Sequence, residues 1–228
     1  MGRGLSSGQP EAFRADRRRF LGISVACLGL TALASRALAD GIDDILQATA
    51  SAAPGPAGSD GAILAAARAG LERAGSRIAH SDVVAVADFG QPSKELRLHL
   101  VDLAQGKVER LLVAHGRGSD PSHTGWLRSF SNAPGSAATS QGNYLTGEYY
   151  SGHHGRSMRL EGLDPTNSNA AERAIVVHAA DYVSADTVRA HGVLGRSEGC
   201  FAVSQADLDK VLDRLGPGRL LVAAKLQV

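Results

Sequence analysis

The sequence predicts a mainly β domain with one or two helices, on three observations. Short apolar runs (Val83–Phe89, Ala174–His178 and Leu220–Ala224) have strand length rather than helix length. Leu96-Arg97-Leu98-His99-Leu100 alternates with period two, as a half-buried strand does. Segments rich in Gly, Ser and Asn separate these runs, and the chain holds 27 Gly against only 4% aromatics. The expected core is therefore built of Ala, Val, Leu and Ile, with many turns. At 228 residues the chain suits one domain with an appendage.

The first 39 residues read as an address. Arg17-Arg18-Arg19-Phe20-Leu21 opens a 15-residue apolar run from Phe20 to Ala34, and Ala37-Leu38-Ala39 follows. A charged start, a short apolar centre and an A-x-A site describe a cleaved export signal, and paired Arg before x-Phe-Leu is the twin-arginine form. The expected location is the periplasm. Membrane association is expected only if that signal stays uncleaved. Residues 1–39 hold six Arg and two acids; of 24 basic and 23 acidic residues, 18 and 21 remain, so the body carries −3. That balance, with few aromatics and no basic run, excludes a nucleic-acid partner.

Residues 40–60, rich in Ala, Pro, Gly and Ser, are expected to form a flexible linker. A helix over residues 61–80 follows, capped by Asp60 and weakened by Gly70. The catalytic body is expected at 81–228. Val83–Phe89 forms a first strand. Leu96–Leu100 and Val108–Ala114 form a hairpin, with Leu on one face and Arg97 and His99 on a solvated one. The long stretch 115–142 is expected to be functional or disordered, with Trp126 either packing it onto the core or serving as a lid over a groove. Strands resume at Tyr144–Tyr150 and Ser157–Leu160. Ala174–His178 is a buried strand, and residues 190–199 are irregular. Ser204 and Asp207 start a helix to Leu215 whose stripe is Leu208, Val211, Leu212 and Leu215. Leu220–Ala224 is the last strand.

Two places carry chemistry. His178 ends a buried strand, and Gly195-Arg196-Ser197-Glu198-Gly199-Cys200 is a glycine-flanked loop leading into Phe201-Ala202-Val203. Loss of Cys27 with the signal leaves Cys200 as a lone thiol in an oxidising compartment, so no intramolecular disulfide forms. Such a thiol is equally a reactive group or an inert buried one. A thiolate is the nucleophilic form, and a neighbouring imidazole makes it available. His178 serves either as that imidazole or as a satisfied core histidine. The Ala179 carbonyl could hold its second nitrogen. Gly199 permits close approach of a substrate, and N–H groups at Cys200 could hold an oxyanion. No H-x-H, H-E-x-x-H or Cys pair occurs, so neither a metal nor another cofactor is expected.

The stretch from Ser131 to Val203 resembles the L,D-transpeptidase catalytic domain family, the cysteine enzymes of bacterial peptidoglycan. The resemblance is carried by Ser131-Asn132 with Ser136; Leu145-Thr146-Gly147-Glu148-Tyr149 with Gly152-His153-His154-Gly155; Arg159-Leu160-Glu161-Gly162-Leu163; Arg173 to Ser184 around His178; and Gly195 to Cys200, in the branch with a G-R-S-x-G-C signature. It implies a β-sandwich with a nucleophile loop, Cys200 as nucleophile, and His178 as base. Arg196, Ser197 and Gly199 would shape the loop, and Tyr149 and His154 would be substrate contacts. The implied partner is the peptidoglycan tetrapeptide stem, cut at its L,D bond with release of terminal D-alanine and passage of the acyl group to a second stem. Hydrolysis by an L,D-carboxypeptidase, or by another cysteine peptidase or amidase, is the alternative. A non-catalytic wall-binding module is a third. Glu198 stands where many relatives have His, Ala202 where many have Arg, and Ala179 where the family has Gly. Glu198 would oppose thiolate formation by like charge.

Overall fold

In the computed structural model, the described residues are 57–226. The export signal and linker residues 40–56 lie outside them. A helix, α1, spans Ala57–Ala74 and so begins inside the segment expected to be linker. Asp60 lies in its first turn, where a carboxylate suits the helix dipole, and forms an ion pair with Arg110.

Eight strands follow: β1 (Val83–Asp88), β2 (Leu98–Asp102), β3 (Lys107–Leu111), β4 (Gly142–Gly152), β5 (Gly155–Gly162), β6 (Val176–Ala179), β7 (Phe201–Val203) and β8 (Leu220–Ala224). They form one mixed sheet in the order β3-β2-β1-β8-β4-β5-β6-β7. The β1–β8 and β6–β7 pairs are parallel and the others antiparallel. The two ends of the sheet approach each other: Ala114 bridges to Ala202 and Gly116 to Ser197. The two layers of the sandwich are thus one sheet rolled onto itself.

The rolled interior holds Leu98, Leu100, Tyr144, Met158, Val177, Phe201 and Leu221. Into it α3 (Leu208–Leu215) inserts Leu208, Val211, Leu212 and Leu215, all buried. Burial of such a side chain contributes about 1.5–3 kcal/mol. α2 (Ala185–His191) is one short helix, capped by Ser184 Oγ accepting from the Thr187 N–H and ended by Gly192 at φ +73°. It has no apolar stripe, which is why periodicity does not find it.

The outer face of β1, β2 and β8 is not solvated. α1 lies on it, packing Ile63, Ala67 and Ala74 against Val84, Val86, Val101, Leu220 and Val222. Gly70, which weakens the isolated helix, is what allows the contact: a Cβ there would meet Val222 Cγ2 at 2.8 Å and Leu220 Cδ2 at 2.9 Å. This corrects the reading of β2 and the residue before it. His99 is buried under α1, and Arg97 is fully buried. Arg97 donates through Nε and Nη2 to Val113 O and through Nη1 to Gln91 O, and its Nη2 meets His115 Nδ1 at 2.7 Å.

Burial holds His99 at a pKa of about 4 and His115 at about 3, with Arg110 and Arg97 respectively pushing the same way. Both are neutral in the fold, whereas the unfolded chain protonates them near 6.5. Their contribution is present in full above that value and is lost as pH falls toward the folded values, at roughly 1 kcal/mol per pH unit each. The urea midpoint is expected to fall steadily between pH 6.5 and 4; a midpoint unchanged over that range contradicts this placement.

Candidate active site

The long stretch 115–142 is a wall under the loop Gly195–Cys200. Gly116 and Gly118 bring it against residues 136–138, where a Cβ on either would overlap backbone oxygen. Thr139 Oγ1 joins three segments: it accepts from the Gly116 N–H at 2.9 Å and donates to Gly199 O at 3.2 Å. Arg173 staples the wall from β6's side, donating to Ser131 O at 2.8 Å and to Ala138 O. Leu127 and Phe130 make the packing contacts of this stretch, whereas Trp126 is 44% exposed.

The loop itself is held from within. Ser197 Oγ donates to Cys200 O at 2.7 Å and accepts from the Gly199 N–H at 3.1 Å. The Ser197 N–H donates to His115 O at 2.9 Å. Arg196 Nη1 donates to Asp120 O and, at 3.2 Å, to Pro121 O. Gly199 sits at φ +121°, and a Cβ there would lie 2.7 Å from Ala138 O. No L side chain fits that conformation and that space together.

β6 and β7 run parallel with His178 opposite Ala202 and Val177 opposite Phe201. Val177, Phe201 and Val203 point into the interior, so alternation puts His178 and Ala202 on the other face. One ladder step back, Cys200 stands beside Val176, whose N–H lies against the sulfur. Cys200 and His178 therefore share a face, one strand apart and two residues out of step. His178 Nδ1 is 2.8 Å from Ala179 O. A carbonyl only accepts, so Nδ1 carries the proton and Nε2 keeps its lone pair. His154, from the β4–β5 turn, stacks on the His178 ring with centroids 4.2 Å apart and planes at 22°.

The thiol has a different hydrogen-bond partner. Cys200 Sγ donates to Ala174 O at 3.6 Å. Ala174 presents that carbonyl from a left-handed conformation, φ +52°, rarely adopted by residues other than Gly. Burial pushes the Cys200 pKa up, opposed by the Val176 N–H and by Arg173. Burial also holds His178 below the ordinary histidine value. Resting thiol and imidazole are therefore both neutral. Iodoacetamide alkylation of Cys200 is expected to inflect above the ordinary free-thiol pKa of about 8.5; an inflection near 7 would show a preformed thiolate–imidazolium pair and contradict this arrangement.

Glu198 has a cationic partner. It takes both oxygens to Arg117, at 2.8 Å from Nε and 3.2 Å from Nη2. This lowers the Glu198 pKa, while the carboxylate still adds to the upward push on the thiol. Between Glu198, Glu172, Arg173 and Ala137 lies a cavity of about 220 Å³ on the flank of the loop. Tyr149 is tied elsewhere: its hydroxyl donates to Leu212 O of α3 at 2.9 Å, and Arg156 lies over its ring. Arg173, Ala174, Thr139 and Arg117 are the site residues that sequence reasoning did not assign. Ala174 is visible only through its backbone angle, and Thr139 only through tertiary contact. Among the described residues, no three His, Cys, Asp or Glu side chains converge as metal ligands, and no helix is long and apolar enough to cross a membrane.

Comparison with solved structures finds an L,D-transpeptidase from Mycobacterium smegmatis at 14% identity and TM-score 0.39, over 62% of this chain and 58% of that one. An L,D-transpeptidase from Mycobacterium tuberculosis H37Rv has 17% identity and TM-score 0.40, over 62% and 57%. L,D-transpeptidase 3 from Mycobacterium tuberculosis has 15% identity and TM-score 0.41, over 62% and 60%. The chain thus spans less than two thirds of the length of these structures. Among curated proteins, none matches. The assignment rests on the family model, described as L,D-transpeptidase catalytic domain, which matches residues 58–223. That span includes the wall, His178 and the loop around Cys200, and by it the chain belongs to the L,D-transpeptidase catalytic domain family.

Proposed function

We propose that the chain is a cysteine acyltransferase that forms a thioester on Cys200 with a peptidoglycan stem peptide. The observation that supports this most is the shared face of Cys200 and His178, with the imidazole tautomer set by the Ala179 carbonyl. The sulfur first turns about χ1 from the Ala174 carbonyl toward His178 Nε2, a change between staggered rotamers. Nε2 takes the thiol proton as the sulfur attacks the carbonyl of the stem's third residue. The bond to the terminal D-alanine breaks, its nitrogen takes the proton from His178, and D-alanine leaves. An amine of a second stem then attacks the thioester, and the thiol is restored. The Gly199 N–H is held by Ser197 Oγ, so the Cys200 N–H, which lies against its own sulfur, is the loop donor to the oxyanion.

His154 keeps one side of the His178 ring covered, and Ser197, Arg196 and Gly199 keep the loop in shape. Residues 1–39 direct export to the periplasm by the twin-arginine route, where such stems are found. The test is incubation of the full chain with tetrapeptide muropeptides, followed by mass spectrometry. D-Alanine with a cross-linked dimer supports acyl transfer, D-alanine with a trimmed stem alone supports the carboxypeptidase reading, and intact tetrapeptide refutes both.

A further inference from the structure

Against the loop Gly195–Cys200 lies a buried charge network that the proposed reaction does not use. Arg97 and Asp120 are fully buried and His115 is 1% exposed. Buried charges are costly to desolvate and persist where hydrogen bonds and opposite charge offset that cost. Arg97 donates from Nε and Nη2 to Val113 O, from Nη1 to Gln91 O, and from Nη2 to His115 Nδ1. The Asp120 carboxylate accepts from the N–H groups of Thr124 and Gly125 and from Thr124 Oγ1.

His115 stands between the two charges. A guanidinium only donates, so Nδ1 keeps its lone pair and the proton sits on Nε2. Nε2 faces Asp120 Oδ2 at 3.6 Å, beyond a hydrogen bond, and has no other partner among the described residues. The neutral ring thus turns its lone pair to the cation and its N–H to the anion. Burial and the Arg97 charge both hold the His115 pKa down.

Each member of the network reaches the nucleophile loop. His115 O accepts from the Ser197 N–H at 2.9 Å, and Ser197 O accepts from the Arg117 N–H at 2.7 Å. Asp120 O accepts from Arg196 Nη1. Arg97 lies over the Phe89 ring at 4.9 Å, and His115 meets that ring edge-on at 6.2 Å. Phe89 in turn lies 6.1 Å from the ring of Phe201, the residue after Cys200. The anchors therefore fall on both sides of the nucleophile, at residues 196 and 197 before it and at 201 after it.

We propose that Arg97, His115 and Asp120 are positioning residues for Cys200: together they hold residues 113–125 in place, and that segment fixes how the loop presents the sulfur and the Cys200 N–H. The rate effect expected below rests on the acyl-transfer reading, whereas the effect on the thiol does not. Misplacing a reacting group by about 1 Å costs up to about 100-fold in rate.

Two variants of the full chain test this. Asp120→Asn keeps the side-chain shape and an acceptor for Thr124 but removes the charge facing His115. His115→Asn keeps an acceptor for Arg97 and removes the N–H facing Asp120. Each is expected to lower kcat for D-alanine release about 10–100-fold, with KM within about twofold. Each is also expected to lower the pH at which iodoacetamide alkylation of Cys200, read by peptide mapping, inflects. The shift is toward the free-thiol value of about 8.5, because a loosened loop lets water reach the sulfur. A purely structural role lowers the urea midpoint and leaves kcat and the inflection of the folded protein at wild-type values, and that result would overturn the proposal. Arg196→Ala removes the Asp120 arm at a half-buried side chain, where substitution costs the fold less, and decides the matter if a buried variant does not fold. It is expected to move both readings the same way, with part of each restored in Arg196→Lys; readings unchanged in Arg196→Ala would also overturn the proposal. If the wild-type chain releases no D-alanine, the acyl-transfer reading fails, and the alkylation shift alone decides the positioning role.

Discussion

Cys200→Ala is expected to abolish D-alanine release, by roughly 10⁴-fold or more, while leaving the fold intact. The size follows from the chemistry: without the sulfur no thioester forms. The fold is expected to persist because the thiol contributes one long hydrogen bond, 3.6 Å to Ala174 O, and the loop is held by Ser197, Thr139 and Arg196 instead. Matching circular dichroism and urea midpoints, with loss of product, is the expected pair of results. Equal release by variant and wild type would remove Cys200 from the mechanism.

His178→Gln is expected to lower kcat/KM by about 10²–10⁴-fold, the range for a general base. The pH profile separates this role from a structural one. Burial and the nearby His154 hold the His178 pKa below its ordinary value, while burial raises that of Cys200. The base is the neutral imidazole, so activity is present above the lowered pKa and is lost as pH falls through it. The acid limb of kcat/KM is therefore expected below pH 6.5, the ordinary histidine value, and is expected to vanish in His178→Gln. An acid limb retained in the variant would assign it to another group.

Much of this arrangement is legible in the chain. The apolar runs at Val83 and Leu220 are strands, the run from Ala174 becomes one only at Val176 because Ala174 turns left-handed, and the α3 stripe lies wholly in the interior. The candidate nucleophile and base are legible too, since a lone Cys on a glycine-flanked loop and a His ending a buried strand are both unusual. What periodicity misses has one physical source: it reports which residues alternate, not what covers each face. Arg97 and His99 look solvated, yet the chain beyond β3 encloses Arg97 and α1 covers His99. Gly70 reads as a flaw in a helix until the sheet beneath it is known. The Arg117–Glu198 pair joins residues 81 positions apart, so no local rule could show that the carboxylate beside the thiol has a cationic partner. The β4 bulge between Thr146 and Tyr149 is invisible for the same reason, because it exists only relative to β5.

The central claim is that one sulfur carries the acyl group. Intact-mass spectrometry of the full chain, quenched in acid during turnover of a tetrapeptide, measures this directly. The account predicts a transient adduct equal to the tripeptide acyl group, localised to Cys200 by peptide mapping and released by hydroxylamine. D-Alanine release with no adduct on the wild-type chain, and the same release from Cys200→Ala, would contradict it.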